Sequence, residues 1–319
     1  MKVLDVMTIG DAMITFNPSA NGPLRFVSSF DRKVGGAELN FAIGCSRLGL
    51  KTRWVSRLGQ DEFGRFIYNF VRGEGIDVSE VELVEGYSTS LNFKEIMEDG
   101  SGRTFYYRHQ SPTTALTMET LKEELFKNIR LLHVTGVFPA IDQEKNVQLI
   151  KHAMIEAKKH GVLISFDPNI RLKLWSKEEA SYHLREFLPY VDIFLTGTDE
   201  AEILLGTNEP KEIIEKCHSL GISYVAIKLG ELGAIGSYNG QIIEAPPLKP
   251  KKVVDTVGAG DGFDSGFIYG VLHNWTLEMT LEFANAIGSM VVSVSGDNEG
   301  LPYLDEVLVR LGEKQLIER

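Results

Sequence analysis

The sequence predicts an α/β fold: a central, mostly parallel sheet flanked by helices, with a small β-sheet lid, in one domain over residues 1–319. Three observations predict it. Short apolar runs alternate with stretches of helical periodicity, the pattern of right-handed βαβ units. Two segments, 13–33 and 88–109, break that rhythm with extended, partly alternating patterns. Helical periodicity dominates the C-terminal third.

The elements follow in order. Residues 3–10 read as a strand, 37–48 as a helix, 52–58 as a strand and 62–73 as a helix. A strand at 131–135, a helix at 144–159, and strands at 162–167, 192–196 and 224–229 come next. Helices at 259–273, 277–294 and 303–311 close the chain. The turn residues Asn21-Gly22-Pro23 and Asp99-Gly100-Ser101-Gly102 mark the two off-rhythm segments as hairpins. Together they would form a lid over the strand ends, where ligands of open α/β sheets bind. The rival reading is a pair of separate surface hairpins. The stretch 245–252 holds three prolines and three lysines but is too short to divide domains.

Bulk properties narrow the function. Lys and Arg number 33 against 44 Asp and Glu, so the net charge is 33 − 44 = −11. That balance argues against a nucleic-acid partner, which needs a basic surface. Cys45 and Cys217 are the only cysteines, too few for a disulfide framework or a repeated metal-ligand pattern. The apolar run 3–9 is too short for a signal segment and contains Asp5, and no stretch is long enough to span a membrane. A cytoplasmic protein is the simplest expectation; a homo-oligomer is left open.

The chemistry concentrates in Asp255-Thr256-Val257-Gly258-Ala259-Gly260-Asp261-Gly262-Phe263. Gly258, Ala259 and Gly260 let the backbone bend tightly and converge its N–H groups. Phe263, Phe267, Ile268, Val271 and Leu272 follow at helical spacing, so the loop opens a helix, where N–H groups and the dipole favour an anion. Asp261, on the first turn, is placed to take a proton from a hydroxyl that attacks phosphorus. An N-cap role is the alternative for such an aspartate. Upstream, Gly35-Gly36-Ala37-Glu38-Leu39-Asn40 precedes the first strong helix, with glycines for close backbone approach and Asn40 as donor and acceptor. A plain turn is the alternative there.

The nonamer resembles the C-terminal signature of the PfkB, or ribokinase-like, sugar kinases. Residues 35–49, GGAELNFAIGCSRLG, resemble the N-terminal signature, and Gly59-Gln60-Asp61-Glu62-Phe63-Gly64 the loop that follows it. The resemblance covers nearly the whole chain and implies a ribokinase-like fold, ATP and Mg²⁺ as cofactors, and phosphoryl transfer to a sugar hydroxyl. It implies Asp261 as base and Gly258, Ala259 and Gly260 as the anion hole. Asp11, Gly35, Gly36 and Asn40 would meet the sugar. Lys228, Gly230 and Gly233 lie in the matching nucleotide loop, while Asn169, Arg171, Thr196 and Asn285 occupy further nucleotide positions. Glu200 matches a segment that influences Mg²⁺ through water, although Gly197 stands where the family has asparagine. The resemblance also admits a monovalent cation, K⁺, near Asp255 and Val257, which the sequence itself does not establish.

Within the family the pattern is most similar to kinases of the sugar acid 2-keto-3-deoxygluconate, which implies transfer to the C6 hydroxyl. Segments 103–108, 167–171 and 296–302 carry that choice. Arg108 and Arg171 suit a carboxylate, which guanidinium matches in fork geometry; each is alternatively a surface or ion-pair charge. By the same match Tyr106 and Val137 would meet the sugar acid and Asp297 its distal hydroxyls. Asn92 stands where a close relative would place tyrosine. Kinases of neutral sugars, or a sugar-binding regulator without turnover, are the alternatives. No GxxxxGK[ST], HExxH or GxSxG motif is present, and no GxGxxG follows the first strand.

Overall fold

The computed structural model describes residues 3–99 and 101–315. Gly100 of the second predicted hairpin turn lies outside them. Strand β1 (Leu4–Ile9) leads into a hairpin of β2 (Met13–Pro18) and β3 (Phe30–Gly35). Helix α1 (Ala37–Arg47), β4 (Thr52–Gly59), α2 (Glu62–Gly73) and β5 (Val81–Val84) follow, then a second hairpin of β6 (Ser90–Ile96) and β7 (Gly102–Tyr107). The chain continues through β8 (Ile129–Thr135), α3 (Gln143–Lys159), β9 (Leu163–Asp167), α4 (Lys177–Leu184), β10 (Ile193–Gly197), α5 (Thr198–Leu205), α6 (Pro210–Ser219) and β11 (Tyr224–Lys228). It ends with the hairpin β12 (Ala234–Tyr238) and β13 (Gln241–Ala245), and helices α7 (Ala259–Leu272), α8 (Leu277–Val291) and α9 (Leu304–Arg310).

Nine strands form the main sheet in the order β13-β12-β11-β10-β9-β8-β1-β4-β5. Every pairing from β11 to β5 is parallel, and the β12–β13 hairpin closes one edge antiparallel. Both faces of this sheet are buried, as parallel sheets require. Val6 on β1 packs into a core shared with Phe41 of α1 and Phe267 of α7, whereas Met7 and Ile9 enter a second core with Ile150 and Met154 of α3. The two-residue alternation of β1 therefore divides the hydrophobic interior into two layers.

The two off-rhythm segments join in one four-stranded sheet, ordered β3-β2-β6-β7. Their link is parallel pairing of β2 with β6, Met13 opposite Ser90 through Phe16 opposite Phe93. Phe16 and Phe93 stack with centroids 4.7 Å apart. Asp61, the N-cap of α2, accepts the Gly64 N–H and both the N–H and hydroxyl of Thr89, at 2.8 Å each. The 59–64 loop is thus tied to the start of β6.

Several elements escaped sequence reading: β5, α4, α5, α6, β12 and β13. The last hairpin did carry a signal. Asn239 and Gly240 adopt φ of 51° and 76°, as an Asn-Gly hairpin turn requires.

Candidate active site

Helix α7 begins at Gly258, whose φ is 79° and whose missing Cβ would overlap the Asp297 carbonyl oxygen. Only glycine fits there. The loop 255–258 is braced against 296–297 a second time, because Asp255 accepts N–H groups from Val257 at 3.1 Å and Gly296 at 3.3 Å. Ala259 turns its N–H back to the Thr256 carbonyl at 3.4 Å. The N–H groups of Gly258, Gly260 and Asp261 find no acceptor among the described residues. Of the expected Gly258–Gly260 set, only Ala259 has its N–H engaged, and Asp261 adds a further open donor.

Asp261 is buried and held on both oxygens. Asn40 donates to Oδ2 at 2.9 Å and Asn169 to Oδ1 at 3.3 Å. Asn40 comes from α1, which Gly36 starts at a φ of 148° with no room for a Cβ beside the Asp11 carbonyl. Asn169 is itself at positive φ, 40°, its N–H turned onto Asp167. Burial raises the Asp261 pKa to about 6, against the lowering effects of the Asn40 hydrogen bond and nearby Arg171. A carboxyl so tuned is a carboxylate at neutral pH yet basic enough to take a proton.

These groups face a cavity of about 440 Å³ between the C-terminal ends of the parallel strands and the small sheet. Asp11, Gly36, Asn40, Asn92, Tyr106, Arg108, Val137, Asn169, Arg171, Glu200, Lys228, Val257, Gly258, Gly260, Asp261 and Asp297 line it. Gly35 lies just behind the wall, and a Cβ there would overlap the Asp297 carboxylate. Thr196, Gly230, Gly233, Asp255, Ala259 and Asn285 are not on the wall. Thr196 bonds the Gly197 carbonyl, and Gly233 is required where the chain passes the Ala245–Pro247 backbone. Asn285 is buried and donates to the carbonyls of Ala245 at 3.2 Å and Pro246 at 3.0 Å.

Three expected ligand groups, Arg108, Asp11 and Asp297, are engaged within the protein. Arg108 pairs with Asp11 at 2.6 Å, and Ser111 donates to the other Asp11 oxygen at 3.0 Å. Asp297 accepts from Lys94 at 2.7 Å. Asn92 donates to Thr15 at 3.2 Å and keeps a buried, unpartnered Oδ1. Arg171 is exposed to the cavity and has no ion pair among the described residues.

At the cavity floor lies a charged cluster: sequence reading named Lys228 but missed its pairing with Asp167 and Asp264. Lys228 reaches Asp167 at 3.0 Å and Asp264 at 3.2 Å. Burial opposes the Lys228 charge, but the two carboxylates outweigh it and hold the ammonium firmly protonated. Burial would likewise raise Asp167, yet Lys228 keeps it below the usual range, while Asp264 is pushed up by burial and by Asp167 beside it. A second aspartate, at 264, three residues after Asp261 in the largely apolar helix α7, was the available signal. Lys94 and Glu38, both on the wall, were missed as well.

Glu200 accepts N–H groups from Ile170 at 2.9 Å and Gly197 at 3.0 Å, and burial, then Asp167, raises its pKa. No three His, Cys, Asp or Glu side chains converge as a metal-ligand set among the described residues. Glu200 on the wall suits a metal that is held mainly by phosphate and water. A cation beside Asp255 fits less well, since the Lys94 ammonium already lies 4.0 Å from its carboxylate.

The family model described as "pfkB family carbohydrate kinase" matches residues 3–304. The chain belongs to the pfkB family of carbohydrate kinases. This pfkB carbohydrate kinase is 35% identical over 321 aligned residues to a protein of Bacillus subtilis (strain 168) named 2-dehydro-3-deoxygluconokinase, covering 99% of this chain and 98% of that one. A protein of Thermoproteus tenax with the same name is 34% identical, covering 94% and 92%. The solved PfkB protein from Polaromonas sp. JS666 superposes with a TM-score of 0.87 at 32% identity, covering 95% and 99%. The ribokinase-like fold expected of a pfkB kinase, a large mostly parallel sheet with a small second sheet, is the fold observed.

Proposed function

We propose that this carbohydrate kinase transfers the γ-phosphoryl group of ATP, with Mg²⁺, to the C6 hydroxyl of 2-keto-3-deoxygluconate. The observation that carries this reading is one cavity holding a buried, tuned carboxylate at a helix N-terminus and, near it, the guanidinium of Arg171, which has no ion pair among the described residues. The names of the Bacillus and Thermoproteus relatives support the substrate class.

Asp261 accepts the proton of the sugar hydroxyl as its oxygen attacks phosphorus. The N–H groups of Gly258, Gly260 and Asp261 meet the charge that gathers on the moving phosphoryl oxygens. Lys228, anchored by Asp167 and Asp264, adds a fixed positive charge at the cavity floor. Glu200 would hold the metal through water, and the metal offsets charge between the phosphates. Arg171 orients the sugar acid. The small sheet acts as a lid, bringing Tyr106 and Arg108 over the sugar and excluding water that would otherwise take the phosphoryl group.

One observation favours a second reading, a neutral-sugar kinase. The charge of Arg108 is already matched by Asp11, so the lid offers a neutral pair. A coupled ADP-release assay over 2-keto-3-deoxygluconate, fructose and ribose separates the two. Preference for the sugar acid is the expected result; preference for fructose overturns the sugar-acid reading.

A further inference from the structure

Glu38 is a fully buried glutamate on the first turn of α1, two residues before Asn40. Its Oε1 accepts the Thr135 hydroxyl at 2.5 Å and the Phe138 N–H at 3.1 Å. Thr135 in turn accepts the Val137 N–H at 3.0 Å, so Glu38 organises the whole 135–138 turn. Val137 and Glu38 both lie on the cavity wall. The other oxygen, Oε2, is buried without a partner. It sits against Gly10, where a Cβ would come within 2.5 Å of it.

Among the described residues no cation pairs with this carboxyl. Asp11, two residues past β1, carries a like charge and already holds Arg108. On β8, His133 stacks on Phe41 at 3.6 Å, and burial keeps it neutral, lowering its pKa to about 3. On β4, Arg53 and Arg57 pair with Asp77 and Glu82. On α7, Asp261 and Asp264 are acidic, and Lys228 is taken by Asp167 and Asp264. An ionised carboxylate needs donors on both oxygens or a counterion, and Glu38 has donors on one. With its proton on Oε2 and both donors on Oε1, the neutral acid leaves one uncharged O–H without an acceptor, a smaller cost than a buried charge without a counterion.

We propose that Glu38 is a titratable positioning residue: as a neutral acid it holds the 135–138 turn in the shape that receives the sugar, and its ionisation loosens that wall. Burial, the largest influence, and Asp11 together raise its pKa to about 7, so the change falls in the neutral range. The folded value lies above the ordinary 4.5. The stability that Glu38 contributes is therefore complete below 4.5 and is lost as pH rises through about 7. This proposal rests on the kinase activity of the family and takes its sugar probe from the reading above.

The test compares wild type with Glu38→Gln, which keeps an acceptor for Thr135 and Phe138 but has no proton to lose. Two measurements are made: Tm without sugar at pH 5 and pH 8.5, and KM for 2-keto-3-deoxygluconate across the same range. Wild-type KM should rise about 30-fold between pH 6 and pH 8.5, as one proton leaves a group near pH 7. The Gln variant should show no such rise, and its Tm should gain on wild type by several degrees between pH 5 and pH 8.5. A flat wild-type KM, the same rise in both proteins, or a Tm difference that does not change with pH would overturn the proposal. If wild type ignores 2-keto-3-deoxygluconate, the sugar-acid reading fails alone. The KM comparison then runs with fructose, and the Tm comparison stands unchanged.

Discussion

Asn40 donates its side-chain N–H to Asp261 across 2.9 Å, joining α1 to the first turn of α7 although 221 residues separate them in sequence. With Asn169 on the other oxygen at 3.3 Å, it fixes the carboxylate direction. Both donors stabilise the ionised form, and burial, which opposes it, is the stronger influence.

Asp261→Asn should fold normally and lose roughly 10²-fold or more in kcat, because the amide cannot take the hydroxyl proton. In wild type the base is competent only when ionised, so kcat should fall as pH drops through about 6. Steady-state kinetics of both proteins from pH 5 to pH 8 checks this. Near-normal turnover by the variant would remove Asp261 from the role.

Gly258→Ala should distort the phosphate loop, because its φ of 79° and the Asp297 carbonyl leave no place for a methyl group. A stability loss of about 1–3 kcal/mol is expected, with a weakened kcat/KM for ATP. Gly260→Ala is the contrast: its added Cβ would meet only Lys228 Nζ, at 3.6 Å. Thermal melts of the two variants should therefore differ clearly. Equal melts would argue against the bracing of this loop by Asp297.

Arg171→Ala should reduce kcat/KM for the sugar acid by roughly 10- to 150-fold, the cost of one charge-assisted contact of about 1.5–3 kcal/mol. Fructose should be affected far less. Arg108→Ala should injure both sugars, since it also strips Asp11 of its partner. Measuring KM for ATP alongside separates a nucleotide effect of Arg171 from a sugar effect. Equal losses on acid and neutral sugar in Arg171→Ala would sink the carboxylate role.

Lys228→Met should destabilise the protein by about 3 kcal/mol or more, because Asp167 and Asp264 would remain buried without their counterion. Removing Arg65 from its exposed pair with Glu62 should change the melt little. Denaturant unfolding of the two variants makes the comparison. A mild effect in Lys228→Met would mean that water or a proton replaces the ammonium.

The sequence by itself determined the layered α/β architecture, the two hairpins and the glycine-aspartate loop at a helix start. Each is a local matter of periodicity, turn chemistry and small residues, written within a dozen positions. It also supplied Asp261, Asn40 and Arg171, because their motifs are contiguous. Tertiary structure alone decided the rest. That the hairpins share one sheet depends on β2 pairing with β6, a contact between distant segments. That Arg108 is matched by Asp11, that Lys228 binds Asp264, and that Glu38 lies without a counterion are likewise long-range facts. A charged side chain takes its protonation state from what folding places around it, and the sum of burial and neighbours exists only once the strand ends have been brought together.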